Sequence, residues 1–315
     1  MGPMHLISRR KFVALTATGV AVAPLTSMAR TIGGGITAQE IVERIQKNIG
    51  IEGQSDTVAP FKAGDPKTIV RGIATTALPS LDVLGAAVKA GANMIVTCEP
   101  TFYSKVDSPT PPVRRIPGMM APNDAPSTPA PPDPVFTAKA DFLKKHNLVV
   151  VRLADQWRQQ KSDPFAQGLA SVCGWSKFTA PADPSHLTIP ETSLDALVSH
   201  VKKSLKCRGG MRIVGDPNLR IRKVAFLPGS TAIQAAIQTL PGVDVIIAGE
   251  VREWETVEYV RDTVALGGKK SLVLVGRIVS EDPGMQFCAQ WLKKIVPEIA
   301  STWVPAGDPY WRPML

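Results

Sequence analysis

Hydrophobic positions along the chain follow two alternating patterns, the three-to-four-residue spacing of amphipathic helices and the short continuous runs of buried strands. Residues 37–50 show the helical spacing, with Ile41 and Ile45 on one face. Thr37 and Glu40 match the capping box that begins many helices. The same spacing predicts seven further helices, at residues 79–92, 135–147, 163–174, 193–206, 230–240, 253–267 and 283–299.

Short apolar runs between these helices predict strands. The runs lie at residues 68–77, 93–97, 148–153, 210–215, 223–229, 243–249 and 270–276. Strands that alternate with helices are typical of an α/β fold, because each crossover helix covers a face of a parallel sheet. We therefore predict an α/β protein whose two domains have mixed or largely parallel sheets facing a shared crevice.

The pattern also suggests the domain organisation. A loop at residues 185–193 divides two α/β runs, so we place a first domain at 37–184 and a second at 185–315. Residues 104–134 are too rich in proline for regular structure and are interpreted as an insertion in the first domain.

The N-terminus carries a targeting pattern. Arg9 and Arg10 precede a modest apolar stretch, and small residues at Ser27 and Ala29 suit a signal peptidase. This is typical of a twin-arginine export signal at residues 1–29, followed by a linker at 30–36. The apolar stretch is too short and too rich in Thr and Gly for a stable membrane span. We expect the twin-arginine export machinery to deliver the protein to the periplasm or outside the cell.

Composition narrows the function classes further. The net charge is +9, and the basic residues are spread along the chain, so the sequence predicts a solvated surface and no nucleic-acid binding. The four cysteines are scattered and form no C-x-x-C pair. Cys173 and Cys288 lie among apolar helical neighbours and are expected to be buried, inert thiols. Cys98 differs because it follows a predicted strand and adjoins Glu99.

Charged side chains follow four of the predicted strands. In open α/β sheets, ligands bind outside the carboxyl ends of the strands. Burying carboxylates together is costly unless a metal or an arginine neutralises them. The strand-end residues are Cys98 and Glu99, Asp155 and Trp157, Glu250, Arg252 and Glu253, and Arg277 and Glu281. They predict a site, although acidic residues at helix starts also occur as simple caps.

Five motifs in order resemble one family. They are DTVAPFKAGDP, MIVTCEPTFY, VDVIIAGEVREWE, GRIVSEDPGM and AGDPYW, which together span residues 56–311. The chain resembles the Nif-three-like dinuclear metal-centre family, also called GTP cyclohydrolase 1 type 2 homologues. The resemblance implies two related α/β domains around two metal ions, and assembly as a homo-oligomer, in many members a hexameric toroid. The chain lacks a G-x-x-x-x-G-K-[ST] loop, so the family's second name does not indicate a GTP substrate.

The resemblance also implies site residues. Cys98 and Glu99 occupy the positions of two metal-binding histidines in the family's Thr-His-His-Pro motif. Asp155, with Asp163 as an alternative, matches a further ligand. Arg277 and Glu281 stand where the family has Gly-His-x-x-x-Glu.

None of the three histidine ligands of the family is kept. A thiolate with three carboxylates could still hold zinc, manganese or iron. Arg277 cannot ligate a metal, because its guanidinium stays protonated.

Three functions are weighed, and the third, nucleic-acid binding, would require a contiguous basic face. In the first, an exported metal-dependent hydrolase acts on a small anionic substrate: Cys98, Glu99, Asp155 and Glu281 hold the ion, Glu250 or Glu253 is the base, and Arg277 steadies the substrate. In the second, a degenerate relative without metal keeps an arginine–carboxylate network and binds an unidentified small molecule or acts as a scaffold.

Overall fold

The computed structural model describes residues 35–50, 60–104, 107, 133–158, 160, 162–180 and 182–310, except the side chains of Ala154 and Asp155. The predicted export signal therefore lies outside the described residues, as does most of the predicted proline-rich insertion. Eleven strands occur within the described ranges. They are β1 (Phe61–Ala63), β2 (Gly72–Thr76), β3 (Met94–Thr97), β4 (Val149–Arg152), β5 (Thr179–Ala180), β6 (Asp183–Ser193), β7 (Arg212–Val214), β8 (Arg220–Thr231), β9 (Val245–Val251), β10 (Ser271–Leu274) and β11 (Ala300–Trp303).

The strands form two mixed sheets, in the orders β1-β4-β3-β2-β11 and β5-β6-β8-β9-β10-β7. In the first sheet, β4, β3, β2 and β11 run parallel to one another and β1 is antiparallel. In the second, β8, β9 and β10 are parallel, while β6 and β7 add antiparallel neighbours. The predicted α/β fold with mixed sheets is confirmed.

Nine α-helices connect these strands in the described part of the chain. They are α1 (Ala38–Ile49), α2 (Leu81–Lys89), α3 (Pro134–Lys145), α4 (Ala154–Arg158), α5 (Pro164–Val172), α6 (Leu194–Ser204), α7 (Ile233–Thr239), α8 (Glu258–Ala265) and α9 (Arg277–Ile295). A π-helical turn, Glu253–Val257, leads into α8. Of the described helices, none is both long and apolar enough to cross a membrane.

The prediction that the last helix begins at Pro283 was wrong. Helix α9 begins at Arg277 and carries Pro283 in its interior. Proline breaks helices because it lacks the N–H that bonds the carbonyl four residues earlier and its ring crowds that carbonyl. The sequence therefore suggested a start at proline, whereas the buried run from Ser280 to Met285 keeps the preceding turn helical by packing.

The predicted loop at residues 185–193 was also wrong. Strand β6 occupies this segment and pairs antiparallel with β8. The segment does not show the alternating apolar and polar pattern of a strand, because only Pro184, Leu187 and Ile189 are buried. His186 accordingly lies in a strand, where its Nδ1 is 2.6 Å from a carboxylate oxygen of Asp183.

The first sheet and its core include elements from the C-terminal end of the chain. Strand β11 joins the first sheet beside β2, although it follows every strand of the second sheet. Helix α9 likewise places Met285, Cys288 and Leu292 in the first sheet's core. The boundary at residue 185 stays a prediction, and in this fold the C-terminal elements serve both sheets.

Helices α5 and α9 cross in close contact through two glycines. A Cβ on Gly168 would come within 2.5 Å of the carbonyl carbon and oxygen of Pro283. A Cβ on Gly284 would meet the side chain and backbone of Phe165. Hydrogen at both positions lets the two helix backbones approach, and this approach fixes α5 against the interior of α9 at Pro283 and Gly284.

Candidate functional site

The parallel strands bring their polar ends to one place. Cys98 and Glu99 follow β3, Glu250 lies at the end of β9, and Arg277 follows β10 as the first residue of α9. Strand β3 belongs to the first sheet and β9 and β10 to the second, so side chains that follow strands of the two sheets meet here. Of the residues expected to converge, Cys98, Glu99, Glu250, Arg277 and Glu281 lie together, while the side chain of Asp155 is outside the described residues.

Cys98 and Glu99 are held by the neighbouring strand. The Glu99 N–H donates to the carbonyl oxygen of Ala77 at 2.9 Å, and the Cys98 Sγ lies 3.2 Å from the same oxygen. Both residues are buried, with 2% and 8% of their surface exposed. The backbone after β3 therefore presents a thiol and a carboxylate side by side, away from solvent.

Arg277 lies among the carboxylates. Its Nη2 and Nε are 2.6 and 3.0 Å from the same oxygen of Glu99, and its Nη1 is 3.3 Å from Glu250. Glu281 is one helical turn further along α9, so it shares a face with Arg277, and its Oε2 is 4.0 Å from the Arg277 Nε. One guanidinium thus contacts three carboxylates, two of them buried.

A second arginine joins the cluster. The Arg158 Nη2, from the end of α4, is 3.0 Å from Oε1 of the buried Glu281. Gly229 makes room for this pair, because a Cβ there would lie 2.6 Å from Glu281 Oε1 and 2.7 Å from Arg158 Nη2. The sequence pattern had not indicated Arg158 or Gly229 as site residues. We call Cys98, Glu99, Arg158, Glu250, Arg277 and Glu281 the arginine–carboxylate network.

Burial sets the ionisation of the two innermost groups. Burial raises the pKa of Glu281 to about 8, with a further rise from Glu99 that Arg158 and Arg277 oppose. Burial, together with Glu281 and Glu99, also raises the pKa of the Cys98 thiol. Without a cation beyond the two arginines, Cys98 is a neutral thiol.

Other predicted site residues lie elsewhere or outside the described part. Glu253 is exposed and pairs with Arg212, so it does not join the network. Asp155 lies in α4, but its side chain is outside the described residues. Asp163 caps α5 by accepting from the Phe165 N–H at 2.9 Å, and its Oδ2 is 3.9 Å from Arg158.

A cavity of about 570 Å³ adjoins the network. Arg277 and Glu250 form part of its wall together with Arg212, Gly276 and Tyr310. This volume lies within the range of about 300 to 1,000 Å³ that small-molecule sites occupy. The network is therefore reachable by a small ligand from this side.

On the other side of α9, Asp282 fixes the segment after β11. Its carboxylate accepts from the Ala306 and Gly307 N–H groups at 3.2 and 3.3 Å. Burial raises the pKa of Asp282 to about 6, and the two N–H groups and the nearby Trp303 indole oppose this rise. The Trp303 indole N–H lies near the carboxylate but does not reach hydrogen-bond geometry with any described residue. Glu281 and Asp282 are consecutive in α9, and they contact the network and the segment after β11, respectively.

Lys139 holds the loop that follows Glu99. Its Nζ lies 2.5 Å from the carbonyl oxygen of Thr101 and under the Tyr103 ring. Burial lowers the pKa of this lysine to about 8, and Asp107 opposes the shift. A buried cation therefore ties α3 to the segment that carries the site.

We expect this lysine to make stability rise with pH. Between pH about 8 and 10.5, the folded protein has released the Lys139 proton while the unfolded chain keeps it, so the free energy of unfolding increases through this window. Urea unfolding on both sides of the window should show a larger increase for the native protein than for Lys139→Met. The exposed Lys145→Met, on the same helix, should behave like the native protein. Equal increases in all three would contradict the burial of Lys139.

Cys98, Glu99 and Glu281 are also a candidate metal-ligand set. One ligand atom from each lies within 4.8 Å of the others. Three protein ligands suffice for a single zinc ion with an open position. They do not fit a dinuclear centre, because Arg277 already occupies an oxygen of Glu99 and cannot act as a ligand.

Comparison with known proteins supports the fold and part of the sequence resemblance. Residues 185–304 match the family model Duf34/NIF3 (NGG1p interacting factor 3). No curated protein matches the chain.

Solved structures resemble nearly the whole chain. Protein ybgI, of unknown function, is 19% identical with a TM-score of 0.62, over 87% of this chain and 100% of that one. A hypothetical protein of Staphylococcus aureus is 14% identical with a TM-score of 0.60, over 88% and 99%. A Bacillus cereus protein related to NIF3 is 14% identical with a TM-score of 0.57, over 88% and 99%. At these identities the likeness shows a shared fold.

Proposed function

We propose that this chain is a NIF3-related, exported small-molecule-binding protein in which the arginine–carboxylate network stands in place of a dinuclear metal centre. The family-model match and the shared fold support the relationship. The arginines support the loss of the metal centre. Export remains a prediction, since the signal segment lies outside the described residues. Homo-oligomer formation, including the hexamer that the resemblance implies, is a separate prediction.

The observation that carries the proposal is the position of the Arg277 guanidinium. It lies 2.6 Å from Glu99 and contacts Glu250 and Glu281, so it supplies the positive charge that buried carboxylates require. Arg158 adds a second positive charge at Glu281. A metal ion would have to displace Arg277 from Glu99 and then share the site with its charge.

The adjoining cavity supports ligand binding. Arg212 lies at this wall and pairs with Glu253 through Nη1 alone among the described residues, so its remaining N–H groups can donate to an anionic group, and Tyr310 offers an aromatic ring at the same wall. Guanidinium groups bind carboxylates and phosphates through paired N–H donors. A small anionic molecule is therefore the ligand class that this cavity favours.

A metal-dependent hydrolase is the second candidate, and the close grouping of Cys98, Glu99 and Glu281 favours it. A single ion held by these residues would supply an activated water. Glu250, whose side chain is 46% exposed, would take a proton from the attacking group. Arg277, once released from Glu99, would bind the anionic part of the substrate.

Metal analysis separates the two candidates. We expect protein purified without added metal, then incubated with zinc or manganese and desalted, to contain far less than one ion per chain, because the arginines neutralise the carboxylates. Inductively coupled plasma mass spectrometry measures this ratio directly. A stoichiometric ion that is lost in Cys98→Ser but kept in Cys173→Ser would favour the hydrolase.

A further inference from the structure

A second cavity lies across α9 from the network. It has a volume of about 600 Å³ and is bounded by the ends of α5 and α6, one face of α9 and the segment after β11. From α9 it receives Val279, Pro283 and Gln286, which are spaced so that they share a helix face. Glu281 faces the network on the opposite side of α9, whereas Val279, Gly307 and Asp308 line both cavities, so the two cavities adjoin each other there.

The walls of this second cavity are mostly apolar. Leu205, Val279, Pro283, Trp303 and Pro305 contribute hydrocarbon or aromatic surface. The volume and the apolar lining are those of a site for a small organic molecule. Such a wall favours a ligand with an aromatic or aliphatic body.

Four charged residues line this cavity, namely Lys206, Arg208, Asp282 and Asp308, and the Asp308 Oδ1 accepts from the Tyr310 N–H at 3.0 Å. Lys206 and Arg208 stand exposed at its rim, and neither forms an ion pair with a described residue. Arg208 is held there because its Nη2 donates to the carbonyl oxygen of Asp308 at 2.8 Å. The carboxylate of Asp282, by contrast, already accepts from backbone N–H groups.

The Trp303 indole forms part of the cavity wall. The indole N–H of Trp303 is buried and completes no hydrogen bond with a described residue. It is shielded from the cavity and lies near the Asp282 carboxylate, so Trp303 contributes aromatic surface to the wall and its N–H is not a contact for a ligand. The exposed cationic groups of Lys206 and Arg208 at the rim therefore favour a ligand with a negative charge.

We propose that this second cavity is a binding site for a small organic monoanion, a carboxylate with an aromatic or aliphatic body. The body packs between α9 and Trp303, and the carboxylate meets Lys206 and Arg208 at the rim. This site is distinct from the network and does not depend on whether the network holds a metal.

The test uses 2-naphthoate as the probe, with the neutral 2-naphthalenemethanol beside it, in isothermal titration calorimetry of the purified protein. We expect saturable binding of one naphthoate per chain. The double variant Lys206→Gln with Arg208→Gln should weaken naphthoate binding about tenfold, the effect of losing roughly 1.4 kcal/mol. It should leave binding of the alcohol unchanged.

Two controls locate the site. Lys202→Gln with Lys203→Gln makes the same change in net charge on exposed positions of α6 outside the cavity, and should change naphthoate affinity less than twofold. Ser204→Trp fills the cavity and should abolish binding of both probes. Three results would overturn the proposal. They are the absence of saturable naphthoate binding, equal weakening in the rim double variant and in the α6 control, and full binding by Ser204→Trp.

Discussion

Gly168→Ala is expected to destabilise the protein by about 3 kcal/mol, the upper end of the usual cost of overpacking. The added methyl group would lie 2.5 Å from the Pro283 carbonyl and 2.6 Å from the Gly284 nitrogen. These are backbone atoms of α9, so no side-chain rotation relieves the overlap. The helices must separate, and the pairs that Glu281 makes from α9 separate with them.

A matched control isolates the crossing from helix propensity. Gly85 also lies inside a helix, α2, and a Cβ there meets no atom within 4 Å. Gly85→Ala should therefore stabilise the protein by about 0.5 to 1 kcal/mol, since alanine restricts the unfolded chain more than glycine does. Urea unfolding of both variants gives the comparison. Equal stabilities for the two would mean that α5 and α9 do not cross through Gly168.

The network could be predicted in part because its members follow a simple rule. Glu99, Glu250 and Arg277 come at the ends of buried parallel strands, and apolar runs identify such strands without an alignment. The rule concerns only where strands end. It could not show that Arg277 pairs with Glu99, since that contact joins residues 178 positions apart.

Arg158 was missed because its position depends on local structure that carries little pattern. It ends α4, a helix of five residues, which is too short for a periodic apolar face. Its signal would have been the need for a second positive charge near Glu281. That need appears only once the burial of Glu281 is known.

Strand β11 shows the same limit for the fold. Its four residues give no clear alternation, and its partner β2 lies more than two hundred residues earlier. Short strands that close a sheet from far along the chain are specified by the sheet they join. The local sequence pattern therefore predicted no strand after the last helix.

The last prediction concerns the charge that Arg277 places in the network. At about 4 Å, two unit charges interact by about 4 kcal/mol at the effective dielectric constant near a protein surface, so a doubly charged ion would be opposed by about twice that. Arg277→His removes this repulsion and adds a nitrogen ligand one helical turn from Glu281. Even with half of the repulsion screened, zinc affinity should rise about a thousandfold.

Arg277→His should therefore bind one zinc ion per chain after desalting, as measured by competition with a chelating dye. Its affinity should fall at acid pH, because the ion must displace the proton of the Cys98 thiol. Arg252→His makes the same change at an exposed arginine that pairs with Glu255 outside the network, and should gain nothing. Arg277→Gln removes the charge without adding a nitrogen ligand and should fall between the two. If Arg277→His bound zinc no better than the native protein, the positive charge of Arg277 would not be what keeps a metal ion from Cys98, Glu99 and Glu281.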